Sequence, residues 1–403
     1  MNDIKIAFIT MQFPVPSETF ASNDVKALEN KGNEVQVYTL KSPHKNHDEM
    51  LADRDIPSKN IVTNGYGQTL MGFFEILKSP FLFIQVLFWI LCNNYSKGMQ
   101  LFKLIAFLPI SFYFLRKLTI YRPQVVHLFW GHYPSLVGYL VKKRLPSIKL
   151  SIFLGAYDLE SNMGVSRYIL NRSDCIFTHS KANSPRIRKL LNTDKNINVV
   201  YRGTTTSYFL EKLRNVSKDN EQWLTVGRLL KSKGFDLVID LFHDYSKINP
   251  LAKLLILGDG PYKYELESKV QALGLSERVV FGGHIRHEHV VISMGKSSVF
   301  LLLSSKSGER LPNVLKEAML AKCICISSRT PGIEELIEHK CDGFIFDEID
   351  YHLIPDVISN SDQQELDTLR SSAREKIIHS FDVDKSMEEY LNVWNSLILE
   401  RIE

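Results

Sequence analysis

Two glutamates in the stretch SGERLPNVLKEAM, Glu309 and Glu317, are separated by seven residues and lie on either side of Pro312. Proline is best tolerated in the first turn of a helix, where its missing N–H group costs no hydrogen bond. The stretch therefore predicts a loop over residues 307–311 and a helix over residues 313–321. Glu309 then lies in the loop and Glu317 on the second helical turn, so the two carboxylates do not share a helical face.

The start of this predicted helix is a favourable place for an anion. The first N–H groups of a helix have no intrahelical partner, and the aligned peptides place a partial positive charge there. One acid in the loop and one on the helix, beside such a site, suit a ligand that carries both phosphates and hydroxyl groups. The alternative is a strand, a loop and a helix whose two glutamates are only solvated.

A pair of cations, Arg228 and Lys233, occurs in TVGRLLKSKGFD, just after a predicted strand. Arginine binds a diphosphate in fork geometry and lysine binds it as a point charge, so the pair could hold one. The alternative is an exposed loop with solvated cations.

LILGDGP, over residues 255–261, lacks the third glycine of the dinucleotide fingerprint, and no ribose-binding acid follows on the next strand. It predicts a strand-to-turn connection rather than a cofactor site.

Strands and helices alternate along the chain, and this pattern predicts the elements that position these residues. A strand over residues 4–10, a helix over 20–31 and a strand over 35–40 form the opening βαβ unit of a doubly wound sheet. The alternation of strands and helices starts again after a polar segment around residues 205–220. A helix is predicted at IEELIEH. The last residues, from Asp384, have apolar positions at helical spacing. Two αβα domains follow from this pattern.

The composition fits an ordinary two-domain protein of the reducing cytoplasm. The chain has 403 residues, a net charge of +4 and 44% hydrophobic residues. This mild charge, without an arginine-rich tract, argues against nucleic acid as a partner. The five cysteines form no C-x-x-C pair and no zinc spacing. The N-terminus predicts a strand rather than a signal peptide.

The region of about residues 69–120 is unusually apolar and aromatic. It contains PFLFIQVLFWILC and LFKLIAFLPISFYFL, punctuated by basic residues. One interpretation is a surface that dips into the membrane interface and reaches a lipid-linked partner. The other is a set of ordinary core helices. A transmembrane hairpin is disfavoured, because the first run is too short and Pro109 interrupts the second.

Taken together, these motifs carry a family resemblance. Four motifs follow one another in an order and spacing that resemble the retaining glycosyltransferases of family 4. They are GR-x4-K-G, LGDGP, the E-x7-E stretch with PNVLKEAM, and TPGIEELI. FPVPSETF is similar to a subgroup that works on bacterial surface polysaccharides: exopolysaccharide, O antigen or capsule. The resemblance covers essentially the whole chain and is most specific over residues 224–346.

The resemblance implies a GT-B fold, with two Rossmann-like αβα domains facing each other across a cleft that holds the active site. It implies an acceptor-binding domain over 1–205, a donor-binding domain over 206–383, and a terminal helix over 384–403 that packs back toward the first. The donor would be a UDP-, GDP- or ADP-sugar, and the acceptor a lipid-linked or other glycan. No metal or other cofactor is expected. Such a protein would work at the cytoplasmic face of the inner membrane as a peripheral protein.

The resemblance also assigns roles to residues. Arg228 and Lys233, with Gly227 before them, would hold the diphosphate, and Glu317 would bind the ribose hydroxyls. Glu309 would contact the donor sugar during catalysis. The backbone that would cap the phosphates or the sugar belongs to Leu311, Pro312, Asn313 and Val314. The acceptor hydroxyl would attack from the front face, because no obvious carboxylate nucleophile is present.

One family feature is absent. A histidine commonly follows the strand at KLSIFLGAYDL, but Leu154 or Gly155 occupies that place here. Asp158 remains nearby, and His132 follows the preceding strand in HLFWGHYP. Either could replace the missing group by orienting or deprotonating the acceptor. Alternatively, His132 caps a helix and Asp158 starts one.

The loop after the first strand also departs from the family, because Ser17, Glu18 and Thr19 replace its glycine-rich sequence. These residues could contact the acceptor or a donor phosphate, and Ser17 or Thr19 could cap the following helix. Three other function classes are alternatives: a sugar-nucleotide epimerase or phosphorylase, a non-catalytic nucleotide-binding scaffold, and a nicotinamide-dependent oxidoreductase. The cation pair and the E-x7-E motif disfavour the first two, and the incomplete glycine fingerprint disfavours the third.

Overall fold

The computed structural model describes residues 3–15, 19–94, 98–305 and 309–400 of the chain. The chain forms two compact units: unit 1 comprises residues 1–203 and 383–403, and unit 2 comprises residues 204–382. Each unit contains a parallel β-sheet with helices packed on its faces. The predicted class, two Rossmann-like αβα domains, is confirmed.

In unit 1, the described residues form a sheet of seven parallel strands. These are β1 (Lys5–Thr10), β2 (Glu34–Thr39), β3 (Ile61–Val62), β4 (Val125–Leu128), β5 (Lys149–Phe153), β6 (Cys175–Thr178) and β7 (Ile197–Val199). Their order in the sheet is β3-β2-β1-β4-β5-β6-β7. The strands are almost continuously apolar because helices cover both faces of the sheet. The order reverses between β1 and β4, where ligands of open α/β sheets commonly bind beyond the carboxyl ends of the strands.

The helices of this part of unit 1 are α1 (Thr19–Asn30), α2 (His47–Asp53), α3 (Tyr66–Lys78), α4 (Pro80–Asn94), α5 (Gly98–Ala106), α6 (Leu108–Tyr121), α7 (Ser135–Arg144), α8 (Ala156–Ser161), α9 (Gly164–Leu170) and α10 (Ser184–Arg188). Helices α4, α6 and α7 bury apolar side chains against one face of the sheet. Helix α1 packs against the other face. The sheet therefore lies between two apolar layers.

Unit 2 repeats this architecture with six parallel strands in its described residues. These are β8 (Asp219–Val226), β9 (Lys253–Leu257), β10 (Val279–Gly283), β11 (Ser297–Leu302), β12 (Ile324–Ser328) and β13 (Phe344–Phe346), in the order β10-β9-β8-β11-β12-β13. Its helices are α11 (Thr206–Lys212), α12 (Phe235–Ile248), α13 (Lys263–Ala272), α14 (His287–Lys296), α15 (Asn313–Leu320), α16 (Ile354–Asn360) and α17 (Gln363–Ser380). The switch in strand order lies between β8 and β11, whose loops carry Arg228 and Glu309.

The last helix, α18 (Val383–Leu399), packs into unit 1. Its Tyr390 ring stacks on Phe177 with centroids 4.0 Å apart. Trp394 is buried, and its indole N–H donates a hydrogen bond to Ser151 Oγ over 3.0 Å. Burial of these large rings against the sheet fixes the end of the chain on unit 1.

Some local predictions are wrong. The segment IEELIEH forms only a short 3-10 turn, Ile333–Glu335, before the chain enters an irregular segment. The polar segment expected between the domains contains α11, whose Phe209 is buried in unit 2. Helix α11 contains Tyr208, Phe209 and Leu210 in succession, so this part of the segment is not polar.

The apolar region of residues 69–120 forms most of α3 to α6. Within the described ranges, no single helix is long and apolar enough to cross a membrane. Two bent helix pairs meet the length and composition requirement for crossing a membrane. They are α3 with α4, bent by 105°, and α5 with α6, bent by 43°.

Candidate active site

The residues singled out in unit 1 come together at the carboxyl edge of its sheet. Strand β4 pairs in parallel with β5, so the loops that follow these strands leave the sheet side by side. The first loop carries His132. The second enters α8, in which Asp158 is the third residue. Strand pairing therefore joins two side chains that are 26 positions apart in sequence.

His132 and Asp158 form a buried hydrogen-bonded pair. The Nδ1 atom of His132 lies 2.8 Å from Asp158 Oδ1. The same oxygen accepts a hydrogen bond from the Gly131 N–H at 2.9 Å, and Asp158 Oδ2 accepts one from the Gly155 N–H at 3.0 Å. An ionised carboxylate only accepts hydrogen bonds, so this contact assigns the donor role to Nδ1 and leaves Nε2 as the ring nitrogen that can act on another group. Asp158 does not start α8 as an N-cap, because Gly155 has that place; its carboxylate instead accepts the Gly155 N–H from the third helical position.

The backbone around this pair is strained and closely packed. Trp130 has a φ of 154°, which L residues rarely adopt. A Cβ atom on Gly155 would lie 2.6 Å from the Trp130 ring, and one on Gly131 would lie 2.2 Å from a methyl group of Leu154. A larger residue at either position would require the Trp130 ring or the Leu154 side chain to shift. Strain concentrated beside a buried polar pair is typical of functional sites.

A cation that the sequence analysis missed, Arg202, lies at the same edge of the sheet, after β7. Its guanidinium carbon is 3.9 Å from the ring centroid of Phe20, 4.7 Å from that of Phe153 and 5.0 Å from that of Phe129. These cation–π contacts hold the charge among aromatic rings. The signal in the sequence was a charged residue shortly after an apolar strand, in INVVYRG.

The predicted first-strand loop is only partly described. Thr19 is the first residue of α1. Ser17 and Glu18 lie outside the described residues, so their expected contacts with acceptor or phosphate stay predictions.

In unit 2, two predicted residues contact each other. Lys233 lies in the 3-10 turn Lys231–Lys233 that follows β8, and its Nζ atom forms an ion pair with Glu309 Oε1. Both side chains are mostly buried. The other oxygen, Glu309 Oε2, is buried and has no hydrogen-bond partner within the part of the chain that the structure describes. A buried carboxylate oxygen without a protein partner is suited to accept a ligand hydroxyl.

The loops after β8 and β9 pack backbone against backbone. A Cβ atom on Gly258 would lie 1.9 Å from the carbonyl oxygen of Gly227, and Gly258 has a φ of +134°. A Cβ atom on Gly260 would lie 2.3 Å from the carbonyl oxygen of Leu229. The Leu229 N–H also donates to Asp259 O over 3.0 Å. The LGDGP motif therefore supports the loop that carries Arg228, which is itself exposed.

Helix α15 begins at Asn313, with Pro312 extended in front of it rather than inside its first turn. The first hydrogen bond of this turn runs from the Leu315 N–H to Pro312 O, over 3.1 Å. The N–H groups of Asn313 and Val314 precede it and are suited to cap an anion. Leu311 is buried and has a φ of 44°, a left-handed conformation that its residue type did not predict.

Glu317 is buried on the second turn of α15, as expected. Its Oε1 atom lies 3.2 Å from Nε2 of His287, the first residue of α14. The ring of Tyr208 lies nearly parallel to that of His287, at a centroid distance of 6.4 Å. Sequence reasoning missed both neighbours, because they approach Glu317 only through the packing of α11 and α14 beside α15.

No group of three or more His, Cys, Asp or Glu side chains in residues 3–15, 19–94, 98–305 and 309–400 could hold a metal ion. The expectation of a metal-independent reaction stays a prediction.

Residues 210–370 match the family model described as "Glycosyl transferases group 1". The matched range includes Arg228, Lys233, Glu309 and Glu317, which are the four predicted donor-site side chains of unit 2.

Two curated relatives are similar along almost the whole chain. The putative colanic acid biosynthesis glycosyltransferase WcaL of Salmonella typhimurium is 22% identical over 94% of this chain and 96% of its own length. The amylovoran biosynthesis glycosyltransferase AmsK of Erwinia amylovora is 25% identical over the same two shares.

Solved structures give the fold. Anabaena HepE in complex with UDP superposes with a TM-score of 0.73 and 16% identity, covering 98% of this chain and all of HepE. The complex of HepE with UDP-glucose gives a TM-score of 0.69 and 17% identity, with the same coverage. The fold class is that of GT-B glycosyltransferases.

Proposed function

We propose that this protein is a retaining glycosyltransferase of family 4 that transfers a sugar from a UDP-sugar to a hydroxyl of a lipid-linked glycan. The reaction would build a bacterial surface polysaccharide at the cytoplasmic face of the inner membrane. The observation that carries the proposal is the contact between Lys233 and Glu309, which lies inside the range matched by the family model. The other Glu309 carboxylate oxygen has no hydrogen-bond partner among the described residues. The names of WcaL and AmsK support the polysaccharide context.

Uridine is the proposed base because HepE, which has the same fold, binds UDP and UDP-glucose. In unit 2, Arg228 and Lys233 would bind the diphosphate, and Glu317 would accept hydrogen bonds from the ribose hydroxyls. The N–H groups of Asn313 and Val314 would cap the phosphate or the sugar.

The proposed chemistry rests on charge that develops in the transition state. The bond between the anomeric carbon and the diphosphate breaks, and negative charge grows on the departing UDP. Lys233, Arg228 and the start of α15 are cations and dipoles already in place, so they stabilise this charge more than the ground state. Removal of one such donor typically costs about 3–4 kcal/mol in the barrier. Glu309 Oε2 would hold a hydroxyl of the donor sugar.

The acceptor side of the reaction is assigned to unit 1. As the acceptor oxygen bonds to the anomeric carbon, its proton would pass to Nε2 of His132. Asp158 would keep Nδ1 protonated and would stabilise the imidazolium that forms. In this role the pair replaces the family histidine that is absent at Leu154 or Gly155.

Two other function classes have less support. An epimerase would need no acceptor base, and a non-catalytic scaffold would not need the glutamate and lysine pair. The scaffold hypothesis nevertheless predicts a distinct result, namely tight UDP binding without cleavage of any UDP-sugar.

The test is hydrolysis of a panel of UDP-sugars by the full-length protein, followed by proton NMR. Transfer to water would release the sugar, and spectra recorded before it mutarotates report the configuration of the first product. We expect UDP release from one α-linked donor, with the α anomer appearing first. A first product in the β configuration would overturn retention. UDP binding without release from any donor, in the presence or absence of extracted lipid-linked glycans, would favour the scaffold.

A further inference from the structure

Helices α3, α4 and α5 expose an unusual amount of apolar surface. On α4, the exposed side chains Phe81, Ile84, Phe88 and Leu91 recur every three or four residues, which places them along one face of the helix. Phe81 is 80% exposed and Phe88 is 68% exposed. Soluble monomeric proteins rarely expose contiguous phenylalanine side chains of this kind.

The neighbouring helices extend the same pattern. Phe73, Phe74 and Leu77 are exposed on α3, and Met99 and Phe102 are exposed on α5. We call the exposed apolar side chains of these three helices the apolar face. Because it draws on three helices that follow one another in sequence, it is a property of this segment and not of a single misplaced side chain.

The exposed side chains of the apolar face do not belong to the core of unit 1. The opposite side of α4, which includes Leu82, Val86 and Ile90, is already buried in the core of unit 1. Helix α3 is also fixed from beneath, because a Cβ atom on its Gly72 would lie 1.9 Å from the carbonyl oxygen of Pro109. The apolar face is therefore what remains outside after α3 and α4 have packed.

Charge identifies the partner. Residues 61–121 contain five basic residues and one acid, Glu75. That acid is neutralised, since its Oε1 atom lies 2.9 Å from Lys78 Nζ and 3.3 Å from an amino group of Arg116. Lys103 is exposed on α5 itself. An apolar surface beside unbalanced positive charge is complementary to an anionic lipid surface. Two copies of the same surface would instead place like charges together.

We infer that the apolar face docks on an anionic bilayer, with α3, α4 and α5 lying in the headgroup region parallel to the membrane plane. The helices do not need to cross the bilayer for this. The buried side of α4 belongs to the core of unit 1 and is not available to lipid. Vesicle binding requires no sugar transfer, so the docking inference can be tested independently of the proposed reaction.

The experiment is flotation of the purified full-length protein with vesicles. We expect binding to vesicles of phosphatidylcholine with phosphatidylglycerol, and weaker binding to phosphatidylcholine alone. The double variant Phe81→Ser with Phe88→Ser should bind anionic vesicles about tenfold or more weakly, because apolar burial supplies much of the affinity.

A matched control lies in unit 2, where Leu251 is 71% exposed and Tyr264 is 78% exposed. The double variant Leu251→Ser with Tyr264→Ser should bind vesicles as the unchanged protein does. Equal loss of binding in the two double variants would overturn the inference, and so would equal binding of all three proteins.

Charge and depth are tested separately. Lys103→Glu should weaken binding to anionic vesicles and leave binding to neutral vesicles unchanged, whereas the exposed Lys45→Glu in unit 1 should change neither. Phe88→Trp should show a blue-shifted emission that brominated lipids quench, and Tyr264→Trp should not. An unquenched Trp at position 88 would overturn docking of this face. Absence of vesicle binding, together with a dimer that Phe81→Ser and Phe88→Ser dissolve, would assign the face to a second copy instead.

Discussion

His132 Nδ1 lies 2.8 Å from Asp158 Oδ1, although the two residues follow different strands of the unit 1 sheet. The two backbone N–H groups that also bind Asp158 fix the carboxylate, and the carboxylate in turn fixes the imidazole ring. A buried aspartate that orients a histidine is a common arrangement for general base catalysis. Nε2 is then the atom available to an acceptor hydroxyl.

Removal of this pair should slow turnover without weakening donor binding. We expect His132→Ala and Asp158→Asn each to lower kcat for UDP release by about 10²- to 10⁴-fold, the usual contribution of a general base. The affinity for UDP, measured by calorimetry, should stay unchanged because the proposed donor groups belong to unit 2. His352→Ala, at an exposed histidine, is the control. Near-normal rates in both variants would refute the role of the pair.

The donor site makes a second prediction, for which the chain supplies its own control. Lys233→Ala should weaken UDP binding by about 10- to 100-fold, since a hydrogen bond to a charged group contributes about 1.5–3 kcal/mol. Lys231→Ala changes an exposed lysine of the same 3-10 turn and should leave binding nearly unchanged. Glu317→Ala should weaken UDP binding and have less effect on the affinity for inorganic diphosphate, which has no ribose. Equal affinities for Lys231→Ala and Lys233→Ala would contradict the assignment.

The glycines behind the donor loop make a third prediction. Gly258→Ala should lower the free energy of unfolding by about 1–3 kcal/mol or more, because the added methyl group meets the carbonyl oxygen of Gly227 and the backbone is in an unfavourable conformation. Urea unfolding measures this. Gly67→Ala is the control, since a Cβ atom there meets no atom within 4 Å. If both variants unfold at the same urea concentration as the unchanged protein, the packing of these loops is wrong.

Stability should depend on pH through His127, which is buried beneath α18. Burial, and then the charge of Arg202, lower the pKa of His127 from 6.5 to about 3. Between these two values the unfolded chain binds a proton that the folded chain does not, so stability is complete above pH 6.5 and is lost as the pH falls. The loss amounts to about 2 kcal/mol between pH 6.5 and 5.

The measurement for His127 is urea unfolding across this pH range. The variant His127→Gln has no group to protonate there, so its stability should decline less steeply even if it is lower throughout. Parallel pH curves for the variant and the unchanged protein would show that His127 does not bind the extra proton.

Much of the fold could be predicted because parallel strands covered on both faces are continuous apolar runs. The strand over Val125–Leu128 and the helix over Asn313–Leu320 were recognisable in this way. The helix expected at IEELIEH failed because it is only seven residues long and its alternation of acids and apolar residues fits a single tight turn equally well. The three-residue strand β13 is too short to give a periodic signal.

The candidate site was predictable where one motif holds the chemistry and less so where packing assembles it. Residue type and spacing made Glu309, Glu317 and Lys233 candidates, and the resemblance to glycosyltransferases supplied their expected roles. His287 in unit 2 and Arg202 in unit 1 were not candidates, because each lies beside the predicted residues of its own unit only through the packing of separate helices or strands. The left-handed conformation of Leu311 could not be anticipated either, since leucine rarely adopts it.

The central claim is that unit 2 binds a uridine nucleotide through the glutamates and cations around α15. The most direct measurement is thermal unfolding of the protein with an excess of UDP, GDP, ADP or NAD, in parallel with Glu317→Ala. A ligand at 100 times its dissociation constant stabilises the folded state by about 2.7 kcal/mol. We expect UDP to raise the midpoint of the unchanged protein, with a much smaller rise for Glu317→Ala and none with NAD. Stabilisation by NAD, or by no nucleoside diphosphate at all, would contradict the account.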